Sequence, residues 1–216
     1  MKNNFLKMIY ATAVLSASLL SNAANAALIT TIDAGATSHI FSSNSYNSNG
    51  PVSENGFTWT ATNSGYYGYD SVWGLNGNGS WNNMNLLGLN NTTGSMTITF
   101  DVLVRDVLAF VSYAAGVGYP KASISIFDVN NVLLESFDLT GKFSNSAVNA
   151  GWNYGFSRST AEIKSIKFTN SYIVASNLRS FVDVSTPSPN VPEPSTLAIF
   201  ALGMAGLVSR RLSKKA

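Results

Sequence analysis

The chain has 216 residues with 13 Lys or Arg, 11 Asp or Glu, one histidine and no cysteine. Six of the cations lie in the terminal segments, so residues 27–190 carry seven cations against ten acids, a formal charge of −3. This balance, with the cations scattered singly, argues against nucleic-acid binding. The lack of cysteine excludes disulfides and thiol chemistry, and with one histidine the common zinc sites and catalytic triads are not expected.

The first 26 residues have the charge and hydropathy pattern of a secretory signal peptide. Two lysines precede an apolar run over residues 8–20, and Ala24-Asn25-Ala26 offers a small-x-small cleavage site before Ala27. A cut after Ala23 fits almost as well. We therefore expect residues 1–26 to direct export through the Sec machinery, and the mature chain to start near Ala27.

Residues 27–185 are predicted to form one domain built of short strands. Apolar and polar residues alternate over residues 56–62 and again over 96–101, as in strands with one buried face, and Trp59 is expected in the core. Residues 107–113 are apolar on both faces, which predicts a central strand. Outside the terminal segments, no window of helical length shows a 3.6-residue apolar period.

The clearest supersecondary unit is a β-hairpin over residues 122–139. Its turn contains Asn130 and Asn131, which can adopt left-handed conformations, and Asp128, which can cap the turn with its side chain. Three more short strands, separated by polar pairs, are predicted at residues 165–169, 172–174 and 179–184. Short strands with frequent turn signals predict an all-β fold, an antiparallel β-sandwich of jelly-roll type.

The last 26 residues combine three signals after a Pro-rich linker at residues 186–190. A short motif comes first, an apolar run of twelve residues covers 197–208, and a basic end follows. The motif is Val191, Pro192, Glu193 and Pro194, and the basic residues are Arg210, Arg211, Lys214 and Lys215. The run would rise roughly 18 Å as a helix, less than the roughly 30 Å hydrocarbon core. The sequence therefore predicts a hydrophobic helix that spans marginally, with its basic end on the cytoplasmic side.

The order of motif, apolar run and basic end over residues 191–216 resembles the PEP-CTERM sorting signal. The resemblance implies an exported protein of a Gram-negative bacterium that makes extracellular polysaccharide. It also implies that an inner-membrane exosortase recognises the motif and cuts near it, after a transient stay in the inner membrane. The alternative is a plain C-terminal anchor helix, and both interpretations place residues 27–185 outside the cytoplasm.

A second resemblance concerns the body of the chain. The hairpin around Asp128, then residues 152–156 and 163–170, are similar in layout to carbohydrate-binding modules of the galactose-binding type. Such modules often carry an acid before the last strand, whereas this chain has Ser176-Asn177-Leu178. That departure leaves a calcium site there without its acidic ligand.

No catalytic residue, metal site or cofactor is predicted. His39 lies in a polar stretch and is expected to be a solvated surface residue. Three pairs of acids could serve a glycosidase, which needs two carboxyl groups at short range, but turns and solvent-facing strand positions explain them more simply. These pairs are Asp101 with Asp106, Asp128 with Asp138, and Glu54 with Asp70.

Sugar binding is the better-motivated activity. Aromatic side chains are frequent in the Asn-rich residues 42–94, where rings could pack on sugars and amides could bond hydroxyl groups. The best candidates are Tyr66, Tyr67, Trp73 and Trp81. The sequence therefore predicts an exported, non-enzymatic, structural or adhesive protein of an exopolysaccharide or biofilm. A carbohydrate-binding module is the alternative, and a secreted polysaccharide hydrolase or lyase is less favoured.

Overall fold

The computed structural model describes residues 27–42, 46–69, 84–114, 116–142 and 151–182, which form strands and connecting turns. In chain order the strands are β1 Ala27–Ile29, β2 Thr37–His39, β3 Tyr46–Asn47, β4 Val52–Glu54, β5 Phe57–Ala61, β6 Gly65–Tyr69, β7 Leu86–Leu89, β8 Ser95–Val104, β9 Asp106–Ser112, β10 Ser123–Phe127, β11 Leu133–Asp138, β12 Trp152–Ser157, β13 Ile163–Thr169 and β14 Val174–Phe181. Within these ranges there is no helix, and so none that could cross a membrane.

The strands form two antiparallel sheets that face each other. Sheet A has the order β1-β12-β9-β14-β7-β6-β3, with β2 beside β14, and sheet B has the order β11-β10-β13-β8-β5-β4. The predicted antiparallel β-sandwich is confirmed, and β9 is a central strand between β12 and β14, as predicted. The predicted signal peptide, linker and C-terminal helix lie outside the described residues.

The core lies between the sheets because apolar side chains alternate along the strands. Trp59, Ile98 and Ile166 from sheet B and Leu87 and Val111 from sheet A are fully buried in one cluster. Burial of each such side chain contributes about 1.5–3 kcal/mol. The prediction that Trp59 belongs to the core is confirmed.

The predicted hairpin is confirmed as β10 and β11. Asp128 Oδ1 accepts hydrogen bonds from the backbone N–H groups of Asn130 and Val132, at 2.9 and 2.7 Å. Of the two asparagines only Asn131 is left-handed, with φ of 60°. The Asp128 carboxylate therefore organises the turn, as its position in the sequence indicates.

The end of the sandwich differs from the prediction. Instead of separate strands at residues 172–174 and 179–184, one strand, β14, runs from Val174 to Phe181. It continues through the polar pair Ser176-Asn177 because a β-bulge accommodates it: the register with β9 shifts between Ser176 and Arg179, and Asn177 has φ of 47°. On its other edge β14 pairs with β7 before the bulge and with β2 after it.

The expectation that His39 is a solvated surface residue is wrong. Its side chain is buried between the sheets, with ring centroids 5.6 Å from those of Phe57 and Phe100. Nδ1 lies 3.1 Å from the carbonyl oxygen of Asn55, which can only accept, so Nδ1 carries the proton and Nε2 accepts from the Ser180 hydroxyl at 2.8 Å. Pairing of β2 with β14 turns this residue inward, a long-range contact that its polar neighbours in sequence do not reveal.

Burial lowers the pKa of His39, and its bond with the Asn55 carbonyl opposes the shift only in part. The free energy of unfolding is therefore expected to fall as the pH drops below about 6.5, the ordinary histidine pKa. There the unfolded chain binds a proton that folded His39 resists, so stability is lost at up to about 1.4 kcal/mol per pH unit until the folded pKa is reached. Above about pH 6.5 His39 is neutral in both the folded and the unfolded chain, so the full stability is retained. Urea unfolding of the full chain at about pH 7.5 and about pH 5.5 measures the difference.

The matched variant is His39→Gln, which can still bond Asn55 and Ser180 but does not titrate. Its stability should change little between the two pH values. An equal loss of stability in both chains would show that another group carries the acid sensitivity.

Candidate functional site

A groove of about 720 Å³ lies beside the bulge of β14, between the first residue of β7 and the last residue of β2. Val107, Ala109 and Val111 of β9 belong to the core, so the alternate residues Leu108 and Phe110 face the outside of sheet A. Leu108 lines the groove. The groove therefore opens on the outer face of this sheet.

The strand register sets the floor of the groove. Gly155 of β12, Leu108 of β9, Arg179 of β14 and Ser38 of β2 are direct neighbours across four adjacent strands. At roughly 4.8 Å per strand this row spans about 14 Å. Ser38, Leu108 and Arg179 line the groove, and Asn153, two residues before Gly155, lines it as well. An extended ligand can therefore contact several strands at once.

Two amide side chains in the lining form no hydrogen bond in the described structure. Asn153 and Asn177 are exposed, and within the described part of the chain no hydrogen bond engages their side chains. The bulge places Asn177 at the groove, because an extra residue in one strand redirects the side chains beside it. Each amide offers two donors and one acceptor oxygen, the complement of a sugar hydroxyl group.

The third amide of the lining, Asn85, has a structural role instead. Its Nδ2 donates to the Phe41 carbonyl oxygen at 2.5 Å, and its backbone carbonyl accepts from the Ser176 hydroxyl at 2.6 Å. These bonds connect the segment after β2, the residue before β7 and the bulge of β14. They position the wall of the groove and do not involve the side chains of Asn153 and Asn177.

The wall formed by the residues after β2 is also attached to the turn between β4 and β5. Asn55 Nδ2 donates to the Ile40 carbonyl oxygen at 2.9 Å, and the Ser42 N–H donates to Glu54 Oε1 at 2.8 Å. Together with the contact between His39 Nδ1 and the Asn55 carbonyl oxygen, these bonds attach residues 39–42 to the β4–β5 turn at three positions. The groove therefore has a fixed wall in the described structure.

Glu54 also connects the two sheets through Tyr67, whose hydroxyl donates to the Glu54 carboxylate. Burial and this bond raise the pKa of Tyr67. Burial also acts to raise the pKa of Glu54, but the bonds from Tyr67 and Ser42 outweigh it and hold that pKa below its usual value. Glu54 is thus a charged structural acceptor, not a proton donor at neutral pH.

The candidate sugar-binding tyrosines have different positions. Tyr67 is fully buried, with its ring 5.3 Å from that of Trp59, so it offers no face to a sugar and the predicted contact does not fit this placement. Tyr66 is half-buried on the outer face of sheet A, packed in a small cluster with Met84 and Phe110. Its hydroxyl accepts a bond from Asn90 Nδ2 at 3.2 Å. Trp73 and Trp81 lie outside the described residues.

Sequence reasoning missed the groove residues Asn153, Asn177 and Arg179. Asn153 lies on β12, 24 and 26 positions before Asn177 and Arg179 of β14, and it meets them only through the register of sheet A. The usable signal was the polar pair Ser176-Asn177 inside an apolar stretch, which is typical of a bulge as well as of a strand end. Within the described ranges no group of three His, Asp or Glu residues could hold a metal ion.

A family model described as the PEP-CTERM protein-sorting motif matches residues 190–213. The chain carries a PEP-CTERM sorting motif. The match contains Val191 to Pro194 and Arg210 with Arg211, while Lys214 and Lys215 lie beyond it. The PEP-CTERM motif indicates an exported protein that is processed by exosortase, a membrane-associated enzyme. The motif also indicates that the protein associates transiently with the membrane and is then located in the cell envelope or outside the cell.

The other comparisons add little to the PEP-CTERM match. No curated protein matches the chain. Among solved structures, a histidine mutant of the lectin binding domain of lectinolysin complexed with Lewis b is 10% identical. The alignment covers 45% of this chain and 70% of that one, with a TM-score of 0.28. A likeness this low carries no argument, so the resemblance to galactose-binding modules stays a prediction.

Proposed function

We propose that this protein is a non-enzymatic, structural or adhesive component of the extracellular polysaccharide or biofilm of a Gram-negative bacterium. The observation that carries the proposal is the PEP-CTERM motif at residues 190–213, because that motif belongs to exported, exosortase-processed proteins. A secretory signal over residues 1–26, as predicted, would start the same route. The antiparallel sandwich would then be the part of the chain that is delivered to the extracellular polysaccharide.

The described acids support a non-enzymatic role. Each pair considered for glycoside hydrolysis contains a carboxylate with a structural partner. Asp106 is buried and bound by Arg105, at 2.8 Å, and by the Ser157 hydroxyl, at 2.6 Å. Asp128 organises its hairpin turn and Glu54 accepts from Tyr67. A hydrolase or lyase is therefore less supported than binding.

A carbohydrate-binding function is the second proposal, and the groove on sheet A favours it. The amides of Asn153 and Asn177 can bond hydroxyl groups, while the side chains of Ile40 and Met84 offer apolar surface for the carbon faces of a sugar ring. Polar groups placed around a small apolar surface are typical of ligand sites. Binding through this groove would hold the protein in the matrix.

One experiment tests both proposals. The full chain is produced in its own host, the extracellular polysaccharide is washed, and the retained fraction of the protein is measured by immunoblot. Wild type should be retained, and the double variant Asn153→Ala, Asn177→Gly should be released, with binding roughly tenfold weaker because two hydrogen bonds are lost. Glycine suits position 177 because it tolerates the positive φ there.

The matched control is Asn130→Ala, an exposed asparagine in the hairpin turn of sheet B. It should be retained like wild type. Wild-type protein that stays out of the polysaccharide fraction would contradict the matrix proposal. Equal retention of wild type and double variant would contradict binding through the groove and leave the structural role in place.

A further inference from the structure

We infer that the groove on sheet A selects acidic saccharides and binds their carboxylate through Arg179. The inference rests on the proposed carbohydrate-binding function and names its ligand class. Arg179 carries the one charged side chain among the described residues of the lining, since His39 is buried with a lowered pKa and is neutral at pH 7. The described lining contains no acid. A carboxylate entering this groove would therefore meet a cation and no like charge in its walls.

The state of Arg179 differs from that of the other two arginines described. Arg105 and Arg158 form ion pairs with Asp106 and Glu162, at 2.8 and 2.5 Å. In the described structure Arg179 forms no ion pair.

The contact that Arg179 does make is neutral. Its Nη2 donates to the backbone carbonyl oxygen of Asp33 at 3.2 Å. The Asp33 carboxylate is engaged separately, since Oδ1 accepts from the Gly35 N–H at 2.7 Å. The carbonyl contact orients the guanidinium group and uses one of its five N–H donors. The remaining donors have no partner in the described structure, which leaves them available to a ligand.

The chemistry of guanidinium indicates a carboxylate. Its planar fork donates two parallel hydrogen bonds to the two oxygens of a carboxylate, and such charged bonds are about twice as strong as neutral ones. The half-buried position of Arg179 in the groove lowers the competition from water. Asn177, two residues before Arg179 on β14, and Asn153 on β12 line the same groove and would bond hydroxyl groups of the saccharide.

The net charge of the body does not prevent this selection. Residues 27–190 carry a formal charge of −3, which repels an acidic polymer at long range. At about 0.15 M salt the screening length is about 8 Å, so distant charges contribute little while a direct ion pair persists. The charge of Arg179 in the groove therefore decides whether acidic or neutral saccharides bind more tightly.

The test compares two polymers with the same sugar backbone, polygalacturonate and its fully methyl-esterified form, by isothermal titration calorimetry of the full chain at about 0.15 M salt. Wild type should bind the acid form at least about tenfold more tightly. Arg179→Gln should remove this preference, and Arg179→Lys should keep only part of it because the bidentate fork is lost. The matched control is Lys167→Gln on sheet B, which removes the same charge outside the groove and should leave the preference unchanged.

Equal affinity for the two polymers, or no binding to the acid form, would overturn the inference. So would a preference that survives Arg179→Gln. The proposed function has its own readout, retention of the asparagine variant in the host polysaccharide. A protein that is retained there through the asparagines but does not distinguish the acid from the ester would keep the carbohydrate-binding proposal and lose the acidic ligand class.

Discussion

Gly155→Ala is expected to cause a large loss of stability. A Cβ at Gly155 would overlap the carbonyl oxygen of Val107 and lie 2.7 Å from the Cα of Leu108. Both contacts are with the backbone of β9, a central strand, so neither can be relieved by a side-chain rotation. Overpacking of a core costs about 1–3 kcal/mol when side chains can adjust. Here we expect more than about 3 kcal/mol, a large share of the roughly 5–15 kcal/mol that stabilises a domain.

Urea unfolding of the full chain measures this loss, and Gly56→Ala is the control. Gly56 has φ of 85°, but a Cβ there would have no heavy atom within 4 Å, so its cost is conformational only, about 1–2 kcal/mol. A cost for Gly155→Ala no larger than that for Gly56→Ala would mean that β9 and β12 separate easily. The groove should be lost with the fold, because Gly155 sits in the same cross-strand row as Leu108 and Arg179.

Replacement of Pro192, Glu193 and Pro194 together by alanine is expected to abolish C-terminal processing. Proline restricts its own φ and keeps the preceding residue extended, so the sequence predicts Glu193 in an extended segment that an enzyme can bind along its length. Alanine removes both the restriction and the charge. Intact mass spectrometry of protein recovered from the envelope and the culture fluid measures the result. Wild type should end near residues 191–195, and the variant should still end at Ala216.

The matched control is Pro187→Ala with Pro189→Ala, which removes two prolines from the predicted linker and leaves the motif intact. It should be processed like wild type. Wild-type chains that still end at Ala216 would contradict processing at this motif. Normal processing of the triple variant would move recognition to the apolar run or the basic end.

The strands were predictable where one face of the sheet is buried. Alternation in β5 and β8 identifies strands because successive side chains point to opposite faces, and Asp128 with Asn131 indicates the hairpin turn through local bonds. The sequence predicted two strands in place of β14, because a bulge and the end of a strand have the same local sequence. The partner strands β7 and β2, distant in the chain, decide that the strand continues.

The candidate site was much less predictable. Aromatic and amide residues were expected to meet within residues 42–94, yet Tyr67 of that region is buried in the core. His39 likewise faces the interior because β2 pairs with β14. Whether a polar or aromatic side chain faces solvent depends on contacts with strands that its own sequence window does not contain.

The sequence by itself determined the sorting motif, the strand character of the body and its hairpin, because these depend on short-range order: residue type, spacing and alternation. Only the tertiary structure decided which amides are free, that Arg179 lacks an ion-pair partner in the described structure, and that Asn153, Asn177 and Arg179 share one groove. The physical reason is that the groove is a property of sheet register. A shift of one residue in β9, β12 or β14 would turn these side chains to the other face.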